Sequence, residues 1–580
     1  MPELKNHLFL LLMAIAVSIV SALGVFRFVD VPLQFSPYSL VPDFPVVIWV
    51  ALFSVILGLL IVLTKKTKQD DAIIAIAIIV LVTVFYGIMV ISERNLTYPD
   101  SWLNISTANS IFENGNSRLA YGTYANSWPS FFILFVELRM VTGTDFTVIA
   151  RFLPSILNCL AFVWIFIFLR KLGLPNKTAL IAVVAFILVD DRVYTIVSPT
   201  NFVFALYCML LYLMFVKKQT SPNRSYLMFM LLFATIVTSH ALIPSFLLLP
   251  MLVFSIMAFV FKQNNKVRLG YEFFLGTILW VFWNVFMIAP SWWETVASNF
   301  QIFFSHVSKL SSPISRSLNY FKFGHPPLEI QVAQLSVIGF IFLLSCIGFF
   351  GYLRQYHAKI RARNTRDKYW LRFFAPFSVL IGCVLTAIIP YFLLGGSIET
   401  DKVLLFIWIP AVFFVGTVFM KLKKKQKQVF SILLVFLLIP AFSIFNWNEF
   451  WLSSHDWELS SFSFAGEKVP PATIIADSGS ANLLRTFSPN SSFVVDGVPE
   501  KPGLALPAFL GIVPPTEITS QYEPTLIQWN YFLRSVKQNV RLNIYFGTQN
   551  GTLSKLDTSL SSVPINRVYD NEFVQLYHRN

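Results

Sequence analysis

Charged side chains make up 13% of this sequence, and several with chemistry to offer stand at the ends of its apolar runs. Asp100 follows Pro99 just beyond one such run, inside the polar stretch NLTYPDSWLNISTANSIFENGN from Asn95 to Asn116. A carboxylate there can take a proton from a reacting hydroxyl. It can equally cap a helix beginning at Ser101, since Pro99, Asp100 and Ser101 are good capping residues. Asp190, Asp191 and Arg192 close a short apolar span. Charges at membrane depth are costly enough to mark a functional cavity, although the same three residues could form a solvated turn in which Asp191 and Arg192 neutralise each other. Lys402 stands before the run VLLFIWIP, either as a point charge for an anionic group or as an interfacial lysine snorkelling beside Asp401 or Glu399. Arg151 either binds an anion or anchors its helix among headgroups, and His240 is either a ligand or a histidine satisfied within a helical bundle.

The elements that must hold these groups are membrane helices. The chain is 56% hydrophobic and 13% charged, with a mean hydropathy of +0.66, whereas soluble domains carry roughly 25% charged residues. The formal charge of +14 raises the question of nucleic acid, but Lys and Arg collect in the cytoplasmic loops of membrane proteins. Topology accounts for most of this charge, and no nucleic-acid partner is expected. Cys159, Cys208, Cys346 and Cys383 all lie in apolar runs and show neither disulfide nor zinc spacing. The first apolar run is long and lacks a small-residue cleavage site, so it reads as a retained helix rather than a signal peptide.

Apolar windows place spans at about 8–28, 45–64, 72–92, 147–170, 178–192, 199–216, 225–241, 243–262, 271–290, 331–353, 373–394, 402–420 and 428–446. Six Lys/Arg clusters, at 65–68, 170–171, 217–218, 262–268, 354–372 and 421–427, fall between alternate spans and are assigned to the cytoplasm. The expected fold is a polytopic α-helical membrane protein of about thirteen transmembrane helices, in the plasma membrane, with its N-terminus cytoplasmic. The apolar segment from Trp128 to Gly143 contains Glu137 and Arg139 and is short for a crossing. It is expected to lie in the outer interface. Segments 93–146 and 291–330 then form two outward-facing loops.

Residues 447–580 read as a small extracytoplasmic α/β domain. ATIIADSGSANLLRTFSPNSSFVVDG gives a strand, a short helix and a second strand, and NIYFGT and FVQLYH add two strand candidates. The glycosylation sequons at Asn95, Asn104, Asn490 and Asn550 fall on the expected outer side, but those at Asn176 and Asn223 fall on the inner side, so the pattern is a weak guide.

The order of PDSWLNISTANSIFENGN followed by SWPSFFILFVELRMVTGTDFTVIARFLPSILNCLAFVWIFIFLRKLG resembles the first outer loop and second helix of GT-C glycosyltransferases, of the protein mannosyltransferase or aminoarabinose transferase type. The resemblance continues through SPTN, TSHALIPSFLLLP around His240, and TDKVLLFIWIP. It implies a GT-C-like core at 71–446, to which residues 1–70 add two N-terminal transmembrane helices. It departs from the family at three points: one carboxylate, Asp100, where an Asp-Glu pair is usual; Lys402 where relatives often carry arginine; and FNWNEFW in place of the WWDYG signature of oligosaccharyltransferases.

The resemblance implies transfer of a single sugar from a polyprenyl or dolichyl phosphate, with inversion, to a lipid-linked glycan, an envelope polymer or a protein at the outer face. By the same comparison Asp100 is the candidate base, and Lys402 and Arg151 are candidates for the donor phosphate. Asp190 and Asp191 are candidates for the acceptor or a metal, with Arg192 and His240 nearby in role, and a divalent cation is the candidate cofactor. Membrane lipid is the remaining partner. A transporter or lipid-glycan flippase is the first rival and would be expected to show inverted repeats or paired Gly/Pro-broken helices, neither of which stands out. A non-catalytic assembly protein is the second, and it would tolerate loss of Asp100.

Overall fold

The computed structural model of the chain describes residues 2–26, 45–64, 71–87, 96, 99–116, 123–189, 197–216, 222–260, 269–287, 328–361, 374–386, 400–445 and 462–463, together with seven short strands after residue 472. Up to residue 445 the described residues are helical apart from short turns and caps. In hydrocarbon an unpaired backbone N–H or C=O has no water to turn to, so an apolar run becomes a helix that satisfies its own backbone. Four such helices are long and apolar enough to cross a membrane, at Val46–Thr64, Phe146–Lys171, Val332–Gln355 and Lys424–Ser443. Shorter apolar helices occupy each remaining expected span, from His7–Leu23 to Leu405–Lys421. The chain is a multi-pass membrane protein.

Two boundaries differ from the sequence pattern. The span expected over 72–92 is an α-helix only over Asp71–Val82 and then widens into a π-helical turn at Thr83–Gly87. There Thr83 lies 3.5 Å from Cys159 of the Phe146–Lys171 helix and donates to Ile79 O. The segment around Trp128 forms a helix only over Ser130–Thr142, about 20 Å long at 1.5 Å per residue, too short to cross. It buries Phe131, Phe132, Phe135 and Val136 and leaves Met140 and Val141 69% and 85% exposed. Such two-sidedness suits a helix lying along an apolar surface.

Close helix approach depends on small residues, because lipid supplies no hydrophobic drive between helices. A Cβ on Gly382 would overlap the backbone nitrogen and ring of Pro250, and one on Gly348 would overlap the Phe414 carbonyl. Aromatic side chains fill the space between these contacts: Phe406 stacks on Phe246 at 4.3 Å and meets Tyr207 edge-on at 4.7 Å. The N-terminal helices join this core, where Phe442 contacts both Trp49 and Phe85.

The two ends of the bundle differ in charge. At one end Arg170 pairs with Asp71 at 3.6 Å, Asn176 donates to the same carboxylate, and Lys177 donates to Leu63 O at 3.2 Å. Lys421 also meets the basic end of the Leu328–Arg361 helix, since its ammonium would crowd a Cβ on Gly351. The opposite end carries Asp100 and is described below.

After residue 472 the strands form a mixed sheet. Thr473–Ala476 pairs in parallel with both Ser492–Val495 and Tyr531–Ser535. Val574–Arg579 then joins Tyr531–Ser535 antiparallel and pairs with Ile565–Asp570. The first two strands are those expected from TIIA and SFVV, and parallel pairing requires the long connection the sequence provides. FVQLYH overlaps the last strand. NIYFGT lies outside the described residues.

Candidate functional site

The polar stretch after the first core span forms the Pro99–Asn114 helix. Proline suits the first helical position, where its missing N–H costs nothing and its φ is already helical. Asp100 therefore stands inside the first turn rather than at the cap, where its charge complements the helix dipole. Ser101, Trp102, Ile105 and Ala108 are buried beneath it, while Asp100 itself is exposed.

One turn on, and on the same helix face, Asn104 reaches across the fold and donates to the Val197 carbonyl at 2.9 Å. The far end of the helix is held by Arg139, whose guanidinium lies 4.4 Å from the Phe112 ring and 4.6 Å from the Phe146 ring and donates to Asn109. This contact explains a charged residue in the segment 128–143: the arginine joins the short helix to its neighbours instead of crossing lipid.

From Val197 the connections run on to His240. Thr200 Oγ1 lies 3.2 Å from His240 Nε2, while His240 Nδ1 accepts the backbone N–H of Leu242 and Ile243. In the neutral ring this acceptance leaves Nε2 as the N–H directed to Thr200. The turn around His240 gathers further elements. Ser130 bonds Thr238 through backbone and side chain, Trp280 donates to Ala241 O, and Thr386 donates to Ser245 O. Trp283 meanwhile donates to Ser127 O. These bonds gather elements from distant parts of the sequence at the end of the bundle that carries Asp100.

Arg151 lies in the second turn of the Phe146–Lys171 helix and is only 6% exposed. With Ser155, Asn158 and Phe162 it falls on one stripe, at helical spacings of four, three and four. Asn158 is 0% exposed and Phe162 packs on Tyr86 of the π turn and on Phe186. A cation so enclosed interacts with an anion in a low dielectric, where the attraction is several times that in water. Lys402 lies in the first turn of the Thr400–Lys421 helix. Asp190, Asp191 and Arg192 lie outside the described residues. No group of three His, Cys, Asp or Glu side chains suited to a metal occurs among the described residues.

Sequence reasoning missed the roles of Asn104, Thr200, Ser130 and the two tryptophans. Asn104 was visible only as a sequon. Asn158, 0% exposed, was missed as well; a polar amide inside an apolar run was its signal.

No family model and no curated protein matches the chain. Two solved structures are similar to it at 10% identity: ArnT from Cupriavidus metallidurans bound to undecaprenyl phosphate, and ArnT from Cupriavidus metallidurans in the apo state. The first has a TM-score of 0.48 and covers 87% of this chain and 97% of its own. The second has a TM-score of 0.47 and covers 86% and 96%.

Proposed function

We propose that this protein is a membrane glycosyltransferase that moves one sugar from a polyprenyl or dolichyl phosphate to a lipid-linked glycan, envelope polymer or protein at the outer face. The observation that carries the reading is Asp100 itself: an exposed carboxylate in a helical first turn, on a helix tied through Asn104 to the end of the bundle away from the Asp71–Arg170 pair. The motif order PDSWLN, SWPSFF, RFLPS, SPTN, TSHALIP and TDKVLL supports the same reading.

In this reaction the acceptor hydroxyl oxygen attacks the anomeric carbon, and the bond from that carbon to the phosphate oxygen breaks with its electron pair leaving on the phosphate. Asp100 takes the hydroxyl proton, and the sugar inverts. The released polyprenyl phosphate carries new negative charge, which Lys402 and Arg151 offset. Asp190 and Asp191 serve the acceptor or a divalent cation. Segments 93–146 and 291–330 and an α/β domain at 447–580 face outward, with the basic turns inside.

The experiment compares lipid-linked glycans from cells with and without the protein. Loss of one sugar residue in its absence names donor and product together. Identical glycans, polymers and glycoproteins in the two strains would overturn the reading.

A further inference from the structure

Asn104, Ile105 and Ser106 form a glycosylation sequon, yet the fold uses all three. The Asn104 amide nitrogen, the atom that would carry a glycan, donates to Val197 O at 2.9 Å across 93 positions of sequence. Ile105 and Ser106 are 3% and 4% exposed, so the sequon cannot adopt the open conformation that glycan transfer needs.

Asn104 also stands one helical turn from Asp100 on the same face. Its acceptor, Val197, is buried immediately ahead of the Pro199–Val216 helix. That helix start is itself fixed, by Asn201 N–H donating to Ser198 Oγ at 3.3 Å and by Thr200 meeting His240 at 3.2 Å. A continuous line of contacts therefore leads from the Asp100 helix to the His240 turn, and Asn104 is its first link. The opposite end of the helix has a separate anchor in Arg139, and Asn104 ties the end that bears the acid to Val197.

We infer that Asn104 is a positioning residue that fixes the height and rotation of Asp100, and that it carries no glycan. This rests on the reading of Asp100 as the base. Misplacement of a reacting group by about 1 Å can cost on the order of 10²-fold in rate, so a lost clip is read in turnover rather than in donor affinity.

The test uses the full-length protein and the polyprenyl-phosphate sugar identified by the glycan comparison. Asn104→Ala, and Asn104→Asp, which keeps size but lacks the N–H donor, should each lower kcat roughly tenfold or more, with KM for the donor within about twofold of wild type. Asn104→Gln, which keeps the amide N–H that reaches the Val197 backbone carbonyl, should recover turnover relative to Asn104→Ala, with all three variants melting close to wild type. A purely structural role would instead lower the melting point and leave kcat of the folded fraction unchanged. Wild-type kcat in Asn104→Ala, no recovery in Asn104→Gln, or a glycan on the Asn104 peptide would each overturn the inference. Asp100→Asn in the same assay separates the two ideas: if it is slow while Asn104→Ala is not, only the clip fails; if it turns over normally, the underlying reading fails.

Discussion

His240 and Thr200 meet at 3.2 Å through Nε2 and Oγ1, and the other nitrogen of the same ring takes two backbone N–H groups from Leu242 and Ile243. A ring with both nitrogens engaged in this way is a joint between the Pro199–Val216 helix and the turn before Ser245–Val260. His240→Ala removes an acceptor from two backbone donors, and leaving buried donors unmade costs about 1–3 kcal/mol. The variant should lose thermal stability in detergent, and the kcat of the folded fraction should fall less than in Asn104→Ala, because Ser198 still holds the helix start through Asn201 N–H. A stable His240→Ala protein with lost turnover would place the imidazole in the chemistry instead.

Arg139 lies between the Phe112 and Phe146 rings at 4.4 and 4.6 Å. Lysine retains the charge but not the planar surface that stacks on both rings. Arg139→Lys should therefore destabilise the protein by about 1 kcal/mol, and Arg139→Ala by more. Thermal melting of both variants in detergent checks this, and equal melting points in all three forms would show that the stack contributes nothing.

The helical spans were legible because a run of Leu, Ile, Val and Phe in lipid has one backbone solution. The 199–216 span, for example, is the Pro199–Val216 helix. That the segment around Trp128 forms only a short helix, Ser130–Thr142, was legible from Glu137 and Arg139, whose charges made a crossing expensive. The contacts that hold the candidate site were not. Ser130 with Thr238, and Asn104 with Val197, join residues about a hundred positions apart, and no local spacing encodes such a pair. The sheet shows the same division. Thr473–Ala476 and Ser492–Val495 stood out as β-branched and aromatic runs, whereas Tyr531–Ser535 and Ile565–Asp570 carry Arg, Asn, Ser or Asp and take their place by pairing.

Among the described glycines, Gly382 and Gly348 are the two whose Cβ positions would overlap a neighbouring helix backbone. A methyl on Gly382 meets the backbone and ring of Pro250, neither of which can turn aside, and one on Gly348 meets the Phe414 carbonyl. Overpacking of this kind typically costs about 1–3 kcal/mol. Gly382→Val and Gly348→Val should each reduce the yield of monodisperse protein and lower its melting point. Gly339, with open space around its Cβ position, is the control and should tolerate valine.

The proposed orientation is checked by chemical labelling in intact cells. Asn116 and Lys425 are both exposed, beyond the Asp100 helix and in the basic Lys421–Lys427 turn respectively. A cysteine at Asn116 should react with an impermeant thiol reagent, and one at Lys425 should react only after the membrane is opened. The reverse pattern would invert the topology and remove the outer-face reaction.

In the proposed reaction Asp100 takes the acceptor's proton. Asparagine at this position keeps the size and hydrogen-bonding shape of the side chain. It gives up the charge–dipole term, about 0.3–1 kcal/mol, and the ability to accept a proton. The decisive measurement is turnover of purified Asp100→Asn with the donor identified by the glycan comparison, alongside its melting point. Asp100→Asn should give a folded protein, melting close to wild type, with kcat lowered by on the order of 10²-fold or more. A folded Asp100→Asn protein that transfers sugar at the wild-type rate would contradict it.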